Sequence, residues 1–137
     1  MVKTIGIGLS LSSVDLLERL KNRNHVEQIY LSLKLFSILK NPPKSLAFED
    51  LSRIIQNGWE KGNVFLFVGA IGAVNRLISP FLISKEEDPA VLVLDWKALN
   101  IVPILGGHFA GANHLAQQLA QDLDGNAIIT GDSENHG

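Results

Sequence analysis

The chain has 137 residues, 46% of them apolar, with 12 Lys and Arg against 14 Asp and Glu and a formal net charge of −2. That length and apolar content suit one globular core over residues 1–137, and the scattered cations lack the basic footprint by which proteins hold nucleic acid. Cysteine is absent, which excludes disulfides and thiol catalysis, and the amino terminus lacks a signal peptide's basic and apolar blocks; with no apolar run near the about 20 residues that cross a bilayer, a cytoplasmic protein without membrane contact is expected.

In chain order, Thr4 to Leu9 reads as a short strand, and Ser12 or Ser13 can cap a helix whose Val14, Leu17 and Leu20 keep one face. Val26 to Leu33 alternates like a strand, Lys34 to Lys40 carries no assignable pattern, and Asn41-Pro42-Pro43 breaks the chain. Ser45 to Gly58 reads as a second helix with Leu51, Ile54 and Ile55 on one side. Asn63 to Val68 is an apolar run of strand length, typical of a strand buried on both faces of a parallel sheet.

Gly69-Ala70-Ile71-Gly72 then turns the chain into a helix bearing Ile71, Val74, Leu77, Ile78 and Phe81, which Pro80 should kink or end. After the polar linker Ser84 to Pro89, Ala90 to Asp95 is another buried strand, followed by a turn around Trp96 to Leu99 and a strand from Asn100 to Leu105. The loop Gly106-Gly107-His108 leads into the amphipathic helix Ala112 to Leu123, which buries Ala112, Leu115, Ala116, Leu119, Ala120 and Leu123. Asn126 to Thr130 makes a last strand and Gly131 to Gly137 a frayed, flexible tail.

Alternating strands and helices imply an α/β fold of three layers, a mostly parallel sheet with helices on both faces and the strands from Asn63, Ala90 and Asn100 central. Ligands in such sheets bind outside the carboxyl ends of the strands, so both glycine turns, Gly69 to Gly72 and Gly106 to Gly111, are expected to line one cleft. Gly106 to Gly111 contains no Ser, Thr, Asp or Asn to cap the helix that follows, which leaves backbone N–H groups for an anion. The plainer alternative is that these glycines only make tight turns and close helix-to-sheet contacts. Neither turn is a nucleotide motif.

Several ordered motifs lie between Val64 and Thr130: Gly69-Ala70-Ile71-Gly72 with Arg76; Ser79-Pro80-Phe81-Leu82 with Lys85; Asp88-Pro89-Ala90-Val91 with Asp95; Val102-Pro103-Ile104-Leu105-Gly106-Gly107-His108; Gly111-Ala112-Asn113 with Leu115-Ala116; and Ala127-Ile128-Ile129-Thr130. Together they resemble the amino-terminal domain of the cobalamin-biosynthesis G family, the cobalt-precorrin-5A hydrolases. Asn75, Ala110 and the closing Gly131-Asp132-Ser133 depart from the family pattern. The resemblance implies hydrolytic opening of a δ-lactone on a cobalt-containing corrin precursor, with loss of acetaldehyde. No cofactor is implied, since cobalt arrives with the substrate. The expected partners are the corrinoid intermediate and either a carboxy-terminal domain or another enzyme of the pathway.

The same resemblance makes Gly69, Gly72, Arg76, Lys85, Gly106, Gly107, Gly111 and Asn113 candidates for binding this polycarboxylate substrate, through N–H donors or positive charge. His108 can act as general base toward the attacking water, can ligate the cobalt, or can simply hold its loop. Asp88 can act in proton transfer at a cleft lip, although an Asp-Pro step favours a turn and a structural role. Asp95 suits a turn acceptor, His114 a solvated helix face, and His25 and His136 have no partners that make a site. No histidine pair has metal-ligand spacing with a carboxylate. Two functional readings follow: the hydrolase or one domain of it, and a non-catalytic module that binds the corrinoid intermediate or docks another enzyme.

Overall fold

In the computed structural model of the protein, which describes residues 3–131, the strands are β1 (Thr4–Gly8), β2 (Gln28–Ser32), β3 (Leu46–Phe48), β4 (Val64–Val68), β5 (Ala90–Leu94), β6 (Asn100–Leu105) and β7 (Asn126–Ala127). They form one seven-stranded sheet in the order β3-β2-β1-β4-β5-β6-β7. The helices are α1 (Val14–Asn22), α2 (Leu33–Ile38), α3 (Leu51–Gly58), α4 (Ile71–Ile78) and α5 (Ala112–Leu123). The α/β class and mostly parallel sheet agree with the sequence. Val26 joins the core just ahead of β2, and the last strand is only Asn126–Ala127.

Alternation along the central strands builds two cores. Leu66, Val68, Leu92 and Leu94 pack with Leu17 and Leu20 of α1 and Ala116 and Leu119 of α5. Phe65, Phe67, Val91 and Val93 pack on the other side with Ile55 of α3 and Val74 and Ile78 of α4. Gly6 in β1 lets α1 close on the sheet, because a side chain there would stand 2.9 Å from both Leu17 and Val26.

Two local assignments change. Lys34 to Lys40 lies largely within α2, whose first turn is held by Ser32 Oγ accepting from Leu35 N at 3.1 Å. The expected Ser45 to Gly58 helix divides into the edge strand β3 and the shorter α3, which Asp50 caps by accepting from Ser52 N at 3.1 Å. Pro80 behaves as expected: α4 ends at Ile78 and a single 3₁₀ turn over Ser79–Phe81 follows.

The larger correction concerns direction. β1 to β5 run parallel, but β6 is antiparallel to β5, and β7 is parallel to β6. The short Asp95 to Leu99 connection cannot make a parallel crossover, which takes about a dozen residues or more. It instead forms a tight reversal in which Asp95 Oδ1 accepts from Leu99 N at 2.8 Å and Oδ2 from Asn100 N at 3.0 Å. β6 is therefore next to the sheet edge, and its carboxyl end lies beside the amino end of β5.

Candidate functional site

The amino end of β5 and the loop after β6 meet through glycine. Gly106 has φ +73°, and a Cβ on it would stand 2.8 Å from Ala110 Cβ and 3.1 Å from both Ala90 Cα and the Pro89 carbonyl oxygen. A Cβ on Gly107 would stand 2.7 Å from Oδ1 of the buried Asn113. Both glycines thus weld the loop to its neighbours. The N–H of Ala112 donates to the Gly106 carbonyl at 3.1 Å, and that of Asn113 to the Gly107 carbonyl at 3.0 Å. The expected set of outward-facing N–H groups at this helix start is corrected accordingly: the loop's own carbonyls take two of them. Gly111, at φ +79°, supplies the left-handed step into α5.

The rigid loop holds His108 and Phe109 outward, both exposed, with their rings edge-on at 5.6 Å and 78°. Lys85 reaches over from the linker, its Nζ 5.7 Å from the Phe109 ring centroid. Lys85, Gly106, Gly107, His108 and Phe109 line an open depression of about 370 Å³. Asp88, 4% exposed, stands behind it and ties the linker down: its Oδ1 accepts from Trp59 Nε1 at 3.0 Å and Ile83 N at 2.9 Å. These contacts are those of a structural carboxylate.

Gly69, Gly72 and Arg76 lie at the other end of the sheet. Gly69 N donates to the Leu94 carbonyl at 3.1 Å, whereas Gly106 packs on Ala90. β5 measures the distance between the two turns, and its steps from Ala90 to Leu94 span about 13 Å. The shared cleft expected from sequence is overturned, because antiparallel β6 carries its glycine loop to the opposite end. Arg76 folds back toward Gly72, its Nη1 3.8 Å from where a Cβ would be. Here the order β2-β1-β4-β5 makes β1 and β4 the topological switch point of a doubly wound sheet. A crevice of about 250 Å³ opens there between Ser10, Ser12, Gly69, Ala70, Asp95 and Trp96.

The sequence marks Ser12 only as a possible helix cap and Trp96 only as part of a turn, and it marks neither Ser10 nor Phe109. An apolar ring inside a glycine loop, outside any helical stripe, is the signal that could have marked Phe109. Asp95 is the turn acceptor expected of it, and His114 is exposed. His25 pairs with Asp122 of α5 at 2.6 Å, far from either turn in its role, and this hydrogen bond, helped by Arg23, holds the Asp122 carboxyl below its ordinary pKa of 3.8. His136 and the tail beyond Gly131 lie outside the described residues. Among the described residues no group of three or more His, Cys, Asp or Glu could hold a metal ion, and no helix is long and apolar enough to cross a membrane.

The family described as Cobalamin synthesis G N-terminal matches residues 53–134. The chain belongs to this family. A cobalt-precorrin-5A hydrolase of Priestia megaterium is 42% identical over 65 residues, covering 47% of this chain and 17% of that protein. One of Salmonella typhimurium is 38% identical over 65 residues, covering 47% and 18%. The crystal structure of a cobalamin biosynthesis protein G homologue from Sulfolobus solfataricus superposes with a TM-score of 0.69 at 29% identity, covering 93% of this chain and 36% of that one. The chain thus spans less than a fifth of the curated relatives and about a third of the solved homologue.

Within the Cobalamin synthesis G N-terminal match fall both glycine turns, Arg76, Lys85, Asp88, His108 and Asn113. Ser10 and Ser12 precede it, so the β1 side of the switch-point crevice lies outside the matched span whereas the whole His108 loop lies within it.

Proposed function

We propose that this protein is the amino-terminal domain of a cobalt-precorrin-5A hydrolase, acting in cobalamin synthesis to open the substrate's δ-lactone with water and release acetaldehyde. The observation that carries this reading is the depression in which a cation, an imidazole and an exposed phenyl ring, from Lys85, His108 and Phe109, converge on a loop fixed by Gly106 and Gly107. The substrate is a polycarboxylate macrocycle. Lys85 neutralises a peripheral carboxylate, and His108 takes the proton of the water that adds to the lactone carbonyl. The lactone opens to a carboxylate and an alkoxide; collapse of the alkoxide to a carbonyl breaks the C–C bond to the macrocycle, releasing the two-carbon fragment as acetaldehyde and leaving the bonding pair on the macrocycle, where a proton is taken up.

The test is incubation of the purified protein with cobalt-precorrin-5A, with acetaldehyde measured by its enzymatic reduction and the corrinoid followed by mass. Release that disappears in His108→Ala, with thermal midpoint unchanged, supports the hydrolase. A His108→Asn variant that regains both stability and turnover would make the histidine structural. The chain covers only 17% and 18% of the curated hydrolases, and this favours one second reading: a corrinoid-binding module whose chemistry is completed by another domain. Tight binding of cobalt-precorrin-5A without acetaldehyde would establish that reading.

A further inference from the structure

We infer that Phe109 is the stacking platform for the flat face of the tetrapyrrole ring, with Lys85 gripping a carboxylate on the ring's rim, and that this recognition does not use the ring's metal. The inference rests on the functional reading above and adds to it the residue that selects a macrocycle. Phe109 is 55% exposed although its loop is closely packed at its base. Its loop is pinned by Gly106 against Ala90 and Pro89, and by Ala110 N and Ala112 N donating to the Gly106 carbonyl at 3.1 Å each. A large apolar side chain held outward on a backbone fastened by these contacts presents ready-made contact area, and that fastening lowers the ordering cost on binding.

The neighbours of that ring define the ligand. Lys85 Nζ lies over one face of the ring, 5.7 Å from its centroid, His108 meets it edge-on, and Leu82 and Ile83, just ahead of the linker that carries Lys85, are exposed. A small anion would use the ammonium group and leave the phenyl ring bare; an uncharged apolar ligand would do the reverse. A flat ring with an anionic rim uses both. The protein has a second exposed pairing of aromatic ring and cation, Lys97 Nζ at 4.9 Å from the Trp96 centroid, at the far end of the sheet. Trp96 shares its crevice with the Asp95 carboxylate, which repels an anionic rim.

Three probes test this on the intact protein: metal-free uroporphyrin III, an octacarboxylate ring; its cobalt complex; and cobinamide, a cobalt corrin whose side arms are amides. Titrations followed by tetrapyrrole absorbance should show the two uroporphyrins binding within about twofold of each other and cobinamide at least about tenfold more weakly. Phe109→Ala should weaken the uroporphyrins by about tenfold or more while Phe109→Trp keeps them bound, and Lys85→Ala should weaken binding and flatten its salt dependence. Unchanged binding by Phe109→Ala, loss of binding in Trp96→Ala instead, or binding of the cobalt complex alone would overturn the inference. Acetaldehyde release by wild type and Phe109→Ala with equal KM would remove the platform and leave the hydrolase standing. Phe109-dependent uroporphyrin binding without acetaldehyde release would do the opposite.

Discussion

Asp88 shows how a residue suited to chemistry can be committed to structure. Both its contacts use the same oxygen, to Trp59 Nε1 and Ile83 N, and the side chain is 4% exposed. Asp88→Ala leaves those donors unmet in a buried place and should cost about 1–3 kcal/mol, read as a lower urea midpoint at constant m. Asp88→Asn keeps an acceptor oxygen, so it should retain most of the stability and, with it, the proposed acetaldehyde release; loss of that release with stability intact would instead give Asp88 the proton-transfer role. The Asp-Pro step made this structural role legible in the sequence, and Asp95 was legible for the same reason, a carboxylate at a strand end beside a turn. Phe109 was not, because the value of an exposed ring depends on Lys85 and His108 being brought beside it. Gly106 is a parallel case: the motif marked it, but only the contacts show that it joins the loop to Pro89 and Ala90. At φ +73°, with Ala110 2.8 Å from the position of a Cβ, Gly106→Ala should cost about 1–3 kcal/mol from backbone strain alone.

At the scale of elements, periodicity found α1, α4, α5 and the buried strands β4 and β5, since each carries a continuous face or a run buried on both sides. It failed for α2 and β3. Only Leu35 of α2 is buried, and Leu46 and Ala47 of β3 are exposed, so neither segment has an apolar period to read. The direction of β6 was legible but went unread: the Asp95 to Leu99 connection has the length of a hairpin turn, and this outweighs the apolar run that suggests a parallel strand. α5 is tied to the segment that ends α1, its neighbour on the same face of the sheet, by Asp122, which accepts from His25 and pairs with Arg23 at 3.3 Å. Because the native state lowers the Asp122 pKa, the stability this group contributes is complete above the ordinary value of 3.8 and is lost as pH falls through the lower folded-state value. Asp122→Asn should therefore flatten the acid limb of a stability-against-pH curve, which thermal melts across about pH 2–5 would measure.

For the whole molecule, one reversed strand divides the family's motifs between two ends of the sheet. Gly106, Gly107, His108, Phe109 and Lys85 gather at the amino end of β5, and Gly69, Gly72 and Arg76 stand at its carboxyl end, about 13 Å away along the strand and opening in the opposite direction. A macrocycle seated on Phe109 at the amino end lies against Lys85, whereas Arg76 turns its guanidinium toward Gly72 at the start of α4. The two cations should therefore differ in what they control. Lys85→Ala should raise the dissociation constant for uroporphyrin III by about tenfold, whereas Arg76→Ala should leave it within about twofold, and the double variant should match Lys85→Ala because sites this far apart do not couple. Both side chains are exposed, so neither substitution should move the thermal midpoint appreciably. A loss on Arg76→Ala equal to that on Lys85→Ala would place the ligand at the switch-point crevice between Ser10, Gly69 and Trp96, and the amino-end loop would then serve only to fasten α5 to the sheet.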